Sequence, residues 1–189
     1  TKRHAMYMHY KTAAASDGRL LAVKAEIIGD TGAYASLGPA VLFRSAVFAC
    51  GPYVVLNVKV DSYAVFTNNP PAGAMRGFGS PQVAFAADSQ MDELAHRLGM
   101  DAFEFRLRNA LDEGSVTATG HRLSESIGAK ETLIAVRKAL DSEPLPQRAP
   151  GKRLGVGIAA AYKNVGLGPG LDDRAGAIAE LDAEGHLIL

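Results

Sequence analysis

The sequence predicts an α+β fold, antiparallel and mixed sheet elements carrying about three helices, and three observations point to it. Two apolar-alternating stretches, residues 5–15 and 19–29, flank Ser16-Asp17-Gly18, the signature of a hairpin. Residues 54–66 alternate Leu56, Val58, Val60, Ala64 and Phe66 against Asn57, Lys59 and Asp61, as a strand with one wet edge does. Further along, apolar residues recur at helical spacing, and a chain of 189 residues that is 48% hydrophobic can bury a core.

The elements follow in order. Leu21, Val23, Ala25 and Ile27 put one face of the second strand toward a core. Residues 31–53 are rich in Gly and Ala and end at Gly51-Pro52; periodicity decides little there, and the stretch reads as irregular, part of it open to helix. After the long strand comes TNNPPAGAMRGFGSPQ, residues 67–82. Ser80 is then placed to cap a helix with Pro81 in its first turn, with Ala84, Ala87, Met91, Leu94, Ala95 and Leu98 on one face and Gly99 as its stop. Asp101 with Glu104 resembles a capping box opening a second helix to about Leu111, and Leu133, Val136 and Leu140 mark a third over 130–140. Pro144, Pro146 and Pro150 mark a linker; 153–163 and 175–189 read as strands around the glycine-rich loop 165–170.

Composition removes several function classes. Twenty basic and twenty acidic residues cancel, so no surplus charge suggests nucleic acid or an anionic membrane surface. Arg44 interrupts the most apolar region, leaving no run long enough to span a bilayer. The single cysteine, Cys50, excludes a disulfide framework and any thiolate cluster made from this chain alone; it reads as a small buried residue in a reducing, cytoplasmic setting. His4, His9, His96, His121 and His186 lack ligand spacing, so no side-chain metal site is expected. Asp92, Glu93, Arg97, Arg106 and Arg108 read as solvated helix faces or salt-bridge partners. The chain starts without methionine and stops inside an apolar run, which reads as an excised internal fragment.

The loop is the chemical feature. Gly73, Gly77 and Gly79 permit positive φ and close approach of backbone N–H groups to a ligand, and the helix that follows adds partial positive charge. No lysine follows the glycines as a P-loop needs, and Gln82 stands where a dinucleotide fingerprint needs its third glycine. A plain strand-to-helix turn accounts for the glycines, yet Arg76 and Phe78 exceed what a turn requires.

Taken together, GDTGAY (29–34), RSAVFACGPYVVLNV (44–58), the loop (67–82), MDELAHRLGMDAFEFRLRNAL (91–111) and GKRLGVGIA (151–159) resemble, in order, the molybdenum-cofactor-binding subunit of the xanthine dehydrogenase and aldehyde oxidase family. The resemblance implies residues 1–141 as a portion of the molybdopterin-binding domain, 142–152 as a linker and 153–189 as the truncated start of the next β-rich portion. It implies an oxidoreductase that hydroxylates an N-heterocycle such as a purine, or an aldehyde, with oxygen from water. The cofactor implied is a molybdenum pyranopterin, molybdopterin as its cytosine dinucleotide, whose dithiolene and not a side chain holds the metal; iron–sulfur and FAD groups would sit on partner subunits or domains.

By the same resemblance Ala74, Met75, Arg76 and Gly77 contact the cofactor, Phe78 stacks on a flat substrate, and Arg44 binds substrate and stabilises charge developing on the ring during catalysis. The cysteine of the carbon monoxide dehydrogenase branch has no counterpart in Gly77-Phe78-Gly79, which disfavours that branch. The family's general base and most cofactor contacts would lie outside these residues. The fragment alone is therefore expected to be inactive, to need the rest of its subunit together with iron–sulfur and flavin partners, and to self-associate through faces normally covered. The competing reading is a non-catalytic binding module that keeps the family fold.

Overall fold

The computed structural model describes residues 2–143, 150–166, 172 and 174–188. Strands β1 (Met6–Ala14) and β2 (Leu20–Gly32) form the hairpin, and β3 (Asn57–Phe66) adds in parallel on the other side of β2, giving a three-stranded mixed sheet in the order β1-β2-β3. Parallel pairing requires a crossover, and helix α1 (Gly38–Phe48) provides it.

This helix falls in the stretch whose sequence reads as irregular. Pro39 fits its first turn, where the missing N–H costs nothing, and Gly38, Val41, Leu42, Ser45 and Phe48 form its buried stripe. It lies close against the sheet: a Cβ at Gly29 of β2 would come within 2.5 Å of a Leu42 methyl, and Ser62 of β3 donates to the Leu42 carbonyl at 3.1 Å.

Helix α2 (Ser80–Leu98) packs on β1 and α1, and Gly99 closes it with φ +65°. Its first cap differs from expectation: Gly79 occupies the N-cap position with φ +94°, while Ser80 is already helical and caps nothing. Helix α3 (Ala102–Asn109) starts as expected, with the Asp101 carboxylate accepting from the Phe103 and Glu104 N–H groups. The carboxamide of Asn109 then reaches across to the hairpin, accepting from Leu20 N–H and donating to the Gly18 carbonyl, both at 2.8 Å. Helix α4 (Ala129–Ser142) completes four helices among the described residues, one more than the periodicity suggests, and α1 is the addition.

Among the described residues the core falls into three clusters. Ile27, Val41, Leu42, Phe48, Ala49 and Val83 fill the space between sheet, α1 and α2. Leu20, Tyr53, Met91, Ala95 and Phe105 fill the next layer, and Phe103, Ala110 and Leu133 seat α4. Cys50 is buried, as its type suggests.

The C-terminal part departs from expectation. Residues 153–163 run without strand pairing among the described residues. Side chains hold the segment instead: Ile158 and Ala160 rest on the α3–α4 cluster, and Tyr162 stands edge-on to Phe48 with ring centroids 5.0 Å apart. Within 175–189, only β4 (Glu180–Leu181) and β5 (Leu187–Ile188) pair among the described residues, closing a small turn about Asp182. Most of the expected linker, and residues 167–170 of the glycine-rich loop, lie outside the described residues.

Candidate functional site

The stretch 67–82 is held at both ends and projects between them. At its start the Asp30 carboxylate, at the end of β2, accepts from Thr67 Oγ1 at 2.6 Å, Asn69 Nδ2 at 2.5 Å and the Gly32 N–H at 2.8 Å. These hydrogen bonds, Thr67 foremost, hold the Asp30 carboxyl below its ordinary pKa. Backbone bonds from Ala33 N–H to Asn69 carbonyl and from Ala72 N–H to Thr31 carbonyl, each 3.0 Å, extend the clamp.

At its far end the loop turns through three successive positive φ angles: Gly77 +94°, Phe78 +51° and Gly79 +94°. Glycine takes such angles without strain, but a phenylalanine there is an outlier that surrounding structure must enforce. The enforcement is visible. A Cβ at Gly77 would collide with Pro81 Cγ, and one at Gly79 would collide with both Ser45 Oγ and the Val41 carbonyl, so both glycines are required by contact as well as by angle. Ser45 Oγ bonds to the Gly79 carbonyl at 3.3 Å and to its own helix at Val41 at 3.0 Å. The loop is thereby docked on α1 one residue from Arg44.

Between these anchors, Ala74, Met75 and Arg76 are exposed and Gly77 is half-buried. Among the described residues, the N–H groups of these four meet no backbone acceptor, whereas Phe78 N–H is spent on Met75 and Ser80 N–H on Gly77. An open stretch of unspent donors, flanked by glycines and followed by the positive end of a 19-residue helix, has the chemistry of an anion cradle. A group bearing anionic oxygens fits such a stretch of donors.

Phe78 is half-buried and packs against the cluster of Ile27, Val41, Leu42, Phe48 and Val83, so part of the ring belongs to the core and part stays accessible. Arg44 is also half-buried; it lines a groove of about 1050 Å³ shared with Phe48, Leu133, Ile158, Tyr162 and Lys163. Lys163 sits 5.1 Å above the Phe48 ring, and burial followed by the nearby Arg44 charge lowers its pKa. Residues 74–78 are not among the walls of that groove. Size alone would direct attention to the groove, but its lining is mostly apolar, while the loop concentrates unspent donors and enforced backbone; the loop is the better candidate for anion chemistry.

Two features escape a reading of the sequence. Arg106, expected on a solvated face or in a salt bridge, has 0% of its side chain exposed, with Nη2 2.8 Å from both Asp88 and Asp92 carboxylates. Asp88 in turn accepts from the Tyr53 hydroxyl at 2.5 Å and from Ala160 N–H at 3.2 Å, so one carboxylate ties together α2, α3, the loop after α1 and the C-terminal segment. The second is the segment 2–4. Gly73 N–H donates to the Lys2 carbonyl at 3.0 Å, Arg3 Nη2 to the Arg76 carbonyl at 2.8 Å, and Gln82 Nε2 to the His4 carbonyl at 3.1 Å. No local pattern announces contacts across more than seventy residues; the only trace is the run of three basic residues, Lys2-Arg3-His4, set before a strand.

Comparison with known proteins places the chain in a family. Residues 1–110 match the family model described as the molybdopterin cofactor-binding domain. The chain is 54% identical over 138 residues to the nicotinate dehydrogenase large molybdopterin subunit of Eubacterium barkeri, covering 73% of this chain and 32% of that protein. It is 39% identical to a probable xanthine dehydrogenase polypeptide of Bacillus subtilis, over 98% of this chain and 25% of that protein. Among solved structures, the aldehyde oxidoreductase of Desulfovibrio gigas superposes with a TM-score of 0.70 at 33% identity, over 74% of this chain and 15% of that one. This chain thus spans a third or less of the length of each of these relatives. The match covers the hairpin, the crossover helix, the loop and the helices α2 and α3 in one run, and the chain belongs to the molybdopterin cofactor-binding domain family.

Proposed function

We propose that the full-length protein carrying this chain is a molybdenum hydroxylase that oxidises an N-heterocycle, such as a purine or a nicotinate-like ring, or an aldehyde, with oxygen taken from water. The observation that carries the reading is the exposed run of unspent N–H groups from Ala74 to Gly77, pinned on both sides by Asp30 and Ser45. In this reading the cofactor, a molybdenum pyranopterin as its cytosine dinucleotide, supplies the redox chemistry. The backbone of Ala74, Met75, Arg76 and Gly77 binds and aligns it. Phe78, held by its core contacts, presents a ring face or edge that orients a flat substrate. Arg44, one residue from the loop's docking point, binds the substrate and offsets negative charge as it develops.

Residues 1–141 form the cofactor-domain portion in this proposal, 142–152 the linker and 153–189 the start of the next portion. The general base belongs to the remainder of the protein, and iron–sulfur and flavin groups on partner subunits or domains carry the electrons away. A lone buried cysteine supports a reducing, cytoplasmic setting. No helix among the described residues is long and apolar enough to cross a membrane.

The test is molybdenum content and turnover of the full-length protein on nicotinate, purines and aldehydes, beside the same assays on residues 1–189. Turnover by the full-length protein and none by the isolated chain is expected; a full-length protein with neither molybdenum nor turnover would overturn the assignment. Phe78→Ala in the active protein is expected to raise KM with stacking worth about 0.5–1.5 kcal/mol, and Arg44→Ala to lower kcat/KM selectively for substrates that carry charge. Equal losses on charged and neutral substrates would remove the orienting role of Arg44.

A further inference from the structure

Of the five buried side-chain polar atoms that find no hydrogen-bond partner among the described residues, four surround the base of the loop: Arg3 Nη1, His4 Nε2, Ser80 Oγ and Gln82 Oε1. An orphaned buried donor or acceptor has given up its hydrogen bond to water without a replacement, so such a cluster marks machinery rather than packing. Arg3 is its centre of charge. One nitrogen of the guanidinium holds the Arg76 carbonyl at 2.8 Å, and the other lies 3.9 Å from where a Cβ at Gly77 would stand. Among the described residues no carboxylate pairs with it within salt-bridge distance.

The peptide unit between Arg76 and Gly77 is planar and trans, so its carbonyl and its N–H point in opposite directions. A donor that fixes the carbonyl of Arg76 therefore fixes the aim of the Gly77 N–H, on the side of the loop turned away from Arg3. Lys2 and His4 brace the same strand segment against Gly73 and Gln82, which keeps the guanidinium at a set height behind the loop. The geometry points to Arg3 as a positioning residue: it aims the Gly77 N–H at an anionic oxygen of the cofactor and lends an uncompensated positive charge from behind. A planar fork suits this task, because one nitrogen can hold the carbonyl while the charge stays spread toward Gly77. The inference rests on the cofactor reading proposed above.

The experiment uses the full-length protein as purified, with Arg3→Ala, Arg3→Lys and Arg3→Gln. Molybdenum and pterin per chain, the Mo(V) electron paramagnetic resonance spectrum and the melting temperature are recorded for each, with wild type alongside. Loss of a residue that orients a metal's ligands weakens retention roughly 10–100-fold, so Arg3→Ala is expected to lose most of its molybdenum during dialysis while melting close to apo wild type. Arg3→Lys, which keeps the charge without the fork, is expected to regain retention in part and to show an altered Mo(V) spectrum. Arg3→Gln keeps a donor for the carbonyl without the charge; it is expected to keep the spectrum and lose retention, and it carries the comparison if the alanine variant does not fold. Wild type without molybdenum or pterin would sink the functional reading itself. Wild type loaded, with all three variants equal to it in retention and spectrum, overturns the role of Arg3 alone.

Discussion

At the scale of single residues, Gly79 shows how little freedom the loop has. Alanine there would collide with two atoms and face a φ of +94° at once, so neither a rotamer change nor a small backbone shift relieves it. Gly79→Ala is expected to destabilise the domain by about 2–4 kcal/mol, judged from what overpacking and left-handed strain cost elsewhere, and a urea midpoint measures it; an unchanged midpoint would show that the docking on Ser45 is dispensable. The sequence displays the glycines but not their reasons. Positive φ can be guessed from a Gly-Phe-Gly run, whereas the Ser45 and Val41 contacts come from a helix more than thirty residues away. Arg106 is hard to place from sequence for a related cause. Its spacing from Phe103 already sets it on the apolar stripe of α3, but charge argues for water until the buried Asp88 carboxylate is known to wait for it.

At the scale of elements, strands are legible and the crossover helix is not. Period-two alternation survives in β1 and β2, and in β3 as far as Val60, because one sheet face is buried and the other wet; from Tyr63 to Phe66 both faces of β3 are exposed. In α1, alanine, glycine and proline dilute the helical period, and its burial at Val41, Leu42, Ser45 and Phe48 is set by the sheet it covers. Residues 153–163 look like a strand because β-forming side chains alternate, yet among the described residues they pair with neither outer strand of the sheet and lie instead where Asp88 of α2 accepts from the Ala160 N–H. What secures this segment is Asp88. Asp88→Ala would leave Arg106 buried with only the 59%-exposed carboxylate of Asp92 and would release Tyr53 and Ala160 together. Removing one partner of a buried pair costs about 3–5 kcal/mol; the expected signature is an early loss of protease resistance near residue 160 and a lowered melting temperature. A double-mutant cycle with Arg106→Met separates the pair from the Tyr53 bond, and complete additivity would refute the coupling.

For the whole molecule, burial sets the alkaline limit of stability. Burial pushes the Cys50 thiol from its ordinary 9.0 to about 11 and the Tyr162 hydroxyl to about 12, and it raises Tyr10 and Tyr53 further. In each case the folded state favours the neutral form. The associated stability is complete below the ordinary values and is lost as pH climbs from about 9 through 11 and beyond, at about 1.4 kcal/mol per unit for each group once it ionises in the unfolded chain only. Unfolding midpoints that stay level from pH 7 to pH 9 and then fall are expected; a decline beginning near neutrality would point to other groups. The surface carries its own consequence. Tyr7, Ile28 and Tyr63 stand in one cross-strand row on the open sheet face, and Phe43, Phe66 and Phe85 are largely exposed. Residues 1–189 alone are expected to sediment faster as concentration rises, and Tyr7→Ser with Tyr63→Ser to suppress this; concentration-independent sedimentation would argue against those faces being sticky.

The docking of Gly79 on Ser45 has one more consequence. The contact itself is made of a glycine and a small hydroxyl that nothing larger can replace, while Arg44 and Phe78 stand beside it, one on each partner. The residues proposed to meet the substrate are thus neighbours of the joint and not parts of it. A variant with a different side chain at position 44 or 78 inherits the same joint, so substrate preference can be rewritten by exchanging the tips while the hinge pin stays in place.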